Sequence, residues 1–189
     1  MKKFLVLPVI AGLLASCGGS TPDNSLSISN PELRTQYVRE GTTTDFIACD
    51  RLEGNPTMDV RVDFTTRGTL DRVDVRLVGS DGQDDGYRAT IRSNSFIRSS
   101  DRYKVIFTAD STTNPLPASA QPHSIIPTPT NDTVKIVRPV SPSIGRFQAV
   151  LVGYSTSGQN TPAVPSLTFV PVYSDCEEIS DTGVRLENY

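Results

Sequence analysis

Few residues in this chain carry the side chains on which catalysis or metal binding usually rests. Among 189 residues there is one histidine, His123, and there are three cysteines, Cys17, Cys49 and Cys176. A Ser-His-Asp or Cys-His arrangement has to run through His123, since it is the only imidazole available as a base. His123 sits in Asp110–Asp132, a stretch bearing Pro115, Pro117, Pro122, Pro127 and Pro129 among Ser and Thr. That setting reads as a solvated loop and offers the imidazole no evident partner. A zinc or copper centre needs several His or Cys ligands, which this composition does not supply. Two carboxylates suffice for glycoside hydrolysis, but no local motif singles out a pair. No catalytic residue and no cofactor is therefore assigned.

The densest group of hard ligands is the turn Asp81-Gly-Gln-Asp-Asp-Gly86. Asp81, Asp84 and Asp85 could ligate Ca2+, which prefers oxygen donors. The spacing is not that of an EF-hand: position 83 is Gln, and no bidentate Glu follows at the required place. The plain reading is a hairpin turn in which Asp and Gly supply the backbone dihedrals.

The elements that must position these groups read as strands. Val60-Arg-Val-Asp-Phe64 and Val73-Asp-Val-Arg-Leu77 alternate strictly between apolar and charged residues. Each predicts a half-buried strand with Arg and Asp on the wet face. Thr65 to Arg72 contains Gly68 and is short enough to join them as a hairpin, across which Arg61 could pair with Asp74. Further strands are expected over 26–29, 34–38, 44–49, 87–92, 102–108, 133–138, 146–154 and 167–173. Phe46, Phe64, Phe107, Phe147 and Phe169 fall at inward-facing positions and read as core. No stretch shows a sustained 3.6-residue period with caps. Many short strands with frequent turns predict an all-β, antiparallel β-sandwich. It resembles immunoglobulin-like domains in general architecture, on strand pattern alone, for the Cys…Trp…Cys signature is missing. The Pro-rich segment at 110–132 reads as a surface loop within one domain over 26–189.

The N-terminus says where the chain goes. Lys2 and Lys3 precede an apolar run from Phe4 to Leu14, and small residues lead into Cys17. That layout is a secretory signal peptide over residues 1–16, too short for a spanning helix. Leu14-Ala15-Ser16-Cys17 resembles a lipobox, the cleavage and acylation site of bacterial lipoproteins. The resemblance implies that Cys17 becomes the lipidated first residue, anchored in a membrane by acyl chains such as palmitate. Residues 17–25 then form a lipidated flexible tether. In lipoproteins of two-membrane bacteria an Asp after the cysteine commonly holds the protein at the inner membrane. Here Gly18 follows, which implies the outer membrane of such a host's cell envelope.

Removing the leader takes away two lysines and no acid, so the net charge moves from −3 to about −5. Such a surface does not attract phosphate backbones, and nucleic acid is not an expected partner. With Cys17 committed to lipid, Cys49 and Cys176 remain in an oxidising compartment. One disulfide is the economical outcome, and two separate buried thiols are the alternative. The sequence thus points to a lipid-anchored envelope protein that is not an enzyme. Its expected role is structural, or the binding of another envelope protein. The alternative is a ligand-binding or enzyme-accessory domain that contacts a glycan or Ca2+ through the 81–86 and 110–132 loops.

Overall fold

The computed structural model describes residues 26–53, 57–80, 88–99, 102–110 and 133–189. The leader, Cys17 and the tether, the Asp81–Gly86 turn, and the Pro-rich loop from 111 to 132 with His123 lie outside the described residues.

The described chain is mostly strand, arranged as two sheets packed face to face. In order the strands are β1 (Ser27–Thr35), β2 (Tyr37–Arg39), β3 (Phe46–Leu52), β4 (Thr57–Arg67), β5 (Arg72–Gly79) and β6 (Arg88–Arg92). They continue with β7 (Ile97–Ser99), β8 (Arg102–Asp110), β9 (Thr133–Pro139), β10 (Ser143–Tyr154), β11 (Val164–Pro165) and β12 (Val170–Arg185). Short 3-10 turns occupy Ser93–Ser95 and Leu186–Asn188. The smaller sheet has the order β1-β4-β8-β7, and the larger runs β3-β2-β9-β12-β10-β5-β6, with β11 against β10. The all-β sandwich expected from alternation is the fold.

The alternating apolar residues fill the space between the sheets. Val60, Val62 and Phe64 of β4 meet Val73, Val75 and Leu77 of β5 and Phe147, Ala149 and Leu151 of β10, all fully buried. The larger sheet also closes partly on itself. β3 pairs with β2 and, in parallel, with β12; β2 runs parallel to β9, and β9 pairs with β12. These four strands pair in a ring, so two pairings in a largely antiparallel architecture are parallel. Within this ring Cys49 of β3 and Cys176 of β12 form a disulfide with a Cα–Cα distance of 5.9 Å. That separation is ordinary for a disulfide, and both cysteines are buried. The bridge spans 127 residues and joins two strands that already neighbour each other.

Four expectations need correction. First, β4 and β5 are not a hairpin. β4 pairs with β1 and β8, whereas β5 pairs with β10 and β6 in the other sheet. The connection between them crosses the sandwich, Gly68 taking a φ of +81° and Leu70 turning into the core. Second, Arg61 therefore does not face Asp74; it pairs with Asp63 on its own strand, and Asp74 accepts a hydrogen bond from Thr90. Third, Phe169 lies just before β12 and is exposed, while Phe46 is half-buried in a second, smaller cluster. Fourth, the last strand runs on to Arg185, because pairing with β9 holds a stretch whose side chains show no apolar alternation.

Candidate functional site

The charged residues of β4 are not on a wet face. Alternation places Arg61 and Asp63 on the side of the small sheet that faces away from the main core. There the chain's last residues cover them, and Arg61 and Asp63 are only 4% and 1% exposed. The cover is a small apolar cluster of Val38, Ile106, Val134 and Leu186, with Phe46, Ile97 and Tyr189 packed around it.

Three cations on three adjacent strands hold this cover by its backbone. Arg61 of β4 donates through Nη1 to the Leu186 carbonyl at 2.6 Å. Lys104 of β8 donates through Nζ to the Glu187 carbonyl at 2.7 Å. Arg34 of β1 donates through Nη1 to the Tyr189 main-chain oxygen at 2.6 Å. Register brings the three together: Arg34 lies opposite Arg61, and Lys104 lies opposite Asp63. Asp63 is the counter-charge. Its Oδ2 lies 2.7 Å from Arg61 Nη2 and 3.9 Å from Arg34 Nε. Burial, and then repulsion from Arg61, hold the Lys104 ammonium below the ordinary lysine value.

Beside this clamp lies an open groove of about 360 Å3, lined by Glu32, Arg34, Thr43, Thr44, Phe46 and Tyr189 among others. The Arg34 guanidinium sits 5.6 Å from the Phe46 ring centre, and the Phe46 and Tyr189 rings meet edge to face at 5.8 Å. The groove presents a cation, a carboxylate, several hydroxyls and aromatic edges. Such groups can hold a polar ligand or a peptide backbone by hydrogen bonds.

Of the residues singled out in the sequence, Cys49 and Cys176 are brought together. His123, Asp81, Asp84, Asp85 and Cys17 lie outside the described residues. Among the described residues no three His, Cys, Asp or Glu side chains cluster in a way that could hold a metal ion. Sequence reasoning missed the Arg34–Arg61–Lys104 clamp. The available signal was the i, i+2 charge pattern on β4, which correctly gave the side but not the cover. Compared with protein-family models and with curated proteins, the chain matches none.

Proposed function

We propose that this chain is a lipid-anchored cell-envelope lipoprotein whose β-sandwich serves as a non-catalytic structural or protein-binding module. The observation that carries the reading is the Cys49–Cys176 disulfide. A structural disulfide suits an exported protein in an oxidising compartment, the destination the Lys2–Cys17 leader implies. It also leaves Cys17 as the cysteine free to take a lipid. In this reading the tether displays the sandwich above the membrane, and rigid strands position its loops for a protein partner.

The test is Cys17→Ser in the native host. Loss from the membrane fraction or blocked processing is expected, with wild-type protein beginning at acylated Cys17 by intact mass. Soluble wild-type protein beginning at another residue overturns the anchor. His123→Ala is expected to leave the protein's role in the host unchanged. Turnover of an envelope substrate that is lost on changing His123 or a carboxylate pair overturns the non-enzymatic reading.

The groove beside Arg34 favours a second reading, a ligand-binding or enzyme-accessory domain for a glycan or Ca2+. Here the loops at 81–86 and 110–132 would add contacts to a rigid frame. Saturable glycan binding that is lost in Arg34→Gln, or Ca2+ binding that is lost in Asp84→Asn with Asp85→Asn, would select it.

A further inference from the structure

We propose that the end of the sandwich at which the chain enters is a second membrane contact, seated on anionic lipid headgroups. The proposal rests on the lipid-anchor reading for its geometry and on the placement of arginines for its chemistry.

Four segments meet at this end. Leu26, the first described residue, lies against Gly68, a Cβ on which would stand 3.4 Å from Leu26 Cδ1. Ser27 is paired with Arg67, and Ile28 packs with Leu70 over Gly153. The Asp71 N–H donates to the Tyr154 carbonyl at 2.8 Å, and the Ser93 N–H donates to the Asp71 carbonyl at 2.8 Å. The start of β1, the β4–β5 connection, the end of β10 and the end of β6 therefore share one end of the molecule. If Cys17 carries the anchor, Leu26 is nine residues from it. Even a fully extended tether then holds this end within about 32 Å of the bilayer.

That end is basic. Arg67 and Arg92 are exposed, and the Arg72 side chain is 41% exposed. Arg72 stands directly opposite Arg92 across β5 and β6. Like charges directly opposite each other disfavour a sheet, so folding stability does not account for the pair. The Arg72 guanidinium lies 4.0 Å from the centre of the Tyr154 ring, which itself ends β10. Arginine stems and tyrosine rings are the side chains that sit well at a headgroup layer. Among the described residues the local acids are Asp71 and Asp74, two against the three arginines; Asp74 Oδ1 lies 4.0 Å from Arg72 Nε. The chain as a whole is acidic, and much of its acid lies elsewhere. Asp175, Glu177, Glu178 and Asp181 are on the part of β12 that runs past the start of β10, away from Tyr154; Lys135 pairs with Glu178 at 2.7 Å and Arg138 approaches Glu177 at 3.7 Å, so part of this acid is neutralised there. The charge separation would turn the arginine end toward an anionic surface and the β12 acids away from it.

The test reconstitutes the host-processed protein, beginning at acylated Cys17, on vesicles and reads backbone hydrogen exchange. One set is phosphatidylcholine alone, and the other contains about 30% phosphatidylglycerol, so that surface charge is the variable. Retention on the neutral vesicles reports the anchor. The difference between the two sets reports the arginine end. Exchange at Gly68–Asp71 and Ser93–Asn94 is expected to slow about threefold or more on the anionic vesicles, while Gly41–Thr44 is unchanged. The slowing should disappear in ~0.5 M NaCl, where screening acts within a few ångströms. It should also disappear in Arg67→Gln with Arg72→Gln and Arg92→Gln. The salt arm uses wild-type protein and stands even if that variant misfolds. Equal exchange on both vesicle sets overturns the proposal. Slowing by soluble polyphosphate but not by anionic vesicles overturns it in favour of a soluble polyanion. Loss of the chain from neutral vesicles with retention on anionic ones refutes the anchor and leaves the arginine contact standing.

Discussion

Arg61 and Asp63 stand two residues apart on one strand and meet at 2.7 Å, Nη2 to Oδ2, with their side chains 5% and 2% exposed. Neighbouring side chains of a strand point to opposite faces, so i and i+2 share one. The pair therefore comes from local geometry, and its burial comes from the Leu186–Tyr189 cover. A buried ion pair is held by its mutual attraction and by the hydrogen bonds around it, here the Leu186 carbonyl. It also couples the chain's last turn to the centre of the small sheet.

Removing one partner should be far worse than removing both. Arg61→Met takes away the close partner of the buried Asp63 carboxylate, leaving Arg34 at 3.9 Å and Lys104 across the strand pair, and should cost about 3–5 kcal/mol. Arg61→Met with Asp63→Leu should recover much of that loss, since an apolar pair of similar volume avoids desolvating charge. Urea unfolding of the two variants checks it. A double variant no more stable than Arg61→Met would show that the pair contributes net stability. Both variants should loosen Leu186–Tyr189, visible as faster hydrogen exchange there.

The disulfide should be closed in the native protein and matter to its stability. Cys49 and Cys176 should resist alkylation under denaturing conditions until a reductant is added. Cys49→Ala with Cys176→Ala should lower stability by about 2–5 kcal/mol, the usual range for a native bridge closing a long loop. Equal unfolding midpoints for the two forms would mean that the ring of β2, β3, β9 and β12 holds without it.

How far the sequence reaches can be judged residue by residue. Strict alternation identified β4 and β5 and put Val60, Val62, Phe64, Val73, Val75 and Leu77 in the core, where they are. Period two reports which side chains share a face and says nothing about which strand lies alongside. That is why β4 and β5 could look like a hairpin while belonging to different sheets. Nor does alternation report what covers the outer face. Arg61 and Asp63 carry the signature of solvent-facing residues, and a segment more than a hundred residues away buries them. β12 extends beyond the expected 167–173 for a related reason: from Asp175 onward its strand conformation is set by pairing partners rather than by its own pattern. The two cysteines were legible because the count, together with the compartment that the leader implies, left few alternatives.

Gly153 sits at a close approach between layers. A Cβ there would stand 2.6 Å from Leu70 Cδ2 and 2.9 Å from Ile28 Cδ1, closer than packed atoms allow. Gly153→Ala should cost about 1–3 kcal/mol, the range for forcing extra volume into a packed site. Gly158 is the contrast. Among the described residues nothing lies within 4 Å of its Cβ position, but its φ is +83°. Gly158→Ala should therefore cost only the local backbone strain, about 1 kcal/mol. Thermal unfolding of the two variants checks the ranking, and a costlier Gly158→Ala would contradict it.

Acid should loosen the β9–β12 pairing before it unfolds the core. The Thr133 hydroxyl and the Gly183 N–H, the latter at 2.7 Å, donate to the Asp181 carboxylate. These bonds hold its pKa below the ordinary aspartate value. The Arg138 guanidinium does the same for Glu40, by hydrogen bonds to both carboxylate oxygens. A carboxylate with a depressed folded-state pKa binds fewer protons folded than unfolded. Its stabilisation is complete above the unfolded value and is lost as pH falls through the folded one. The loss should therefore begin below about pH 4, the ordinary carboxylate range. Both groups are solvent-exposed, so the effect should be local rather than global. Hydrogen exchange, corrected for its intrinsic pH dependence, should show lost protection over Thr133–Arg138 and Ser180–Arg185 in that window, with β4 and β8 unaffected. Asp181→Asn should flatten the dependence at the Thr133 end and leave it at Arg138, where Glu40 still titrates. Protection that falls equally in the core strands would assign the acid sensitivity to some other carboxylate.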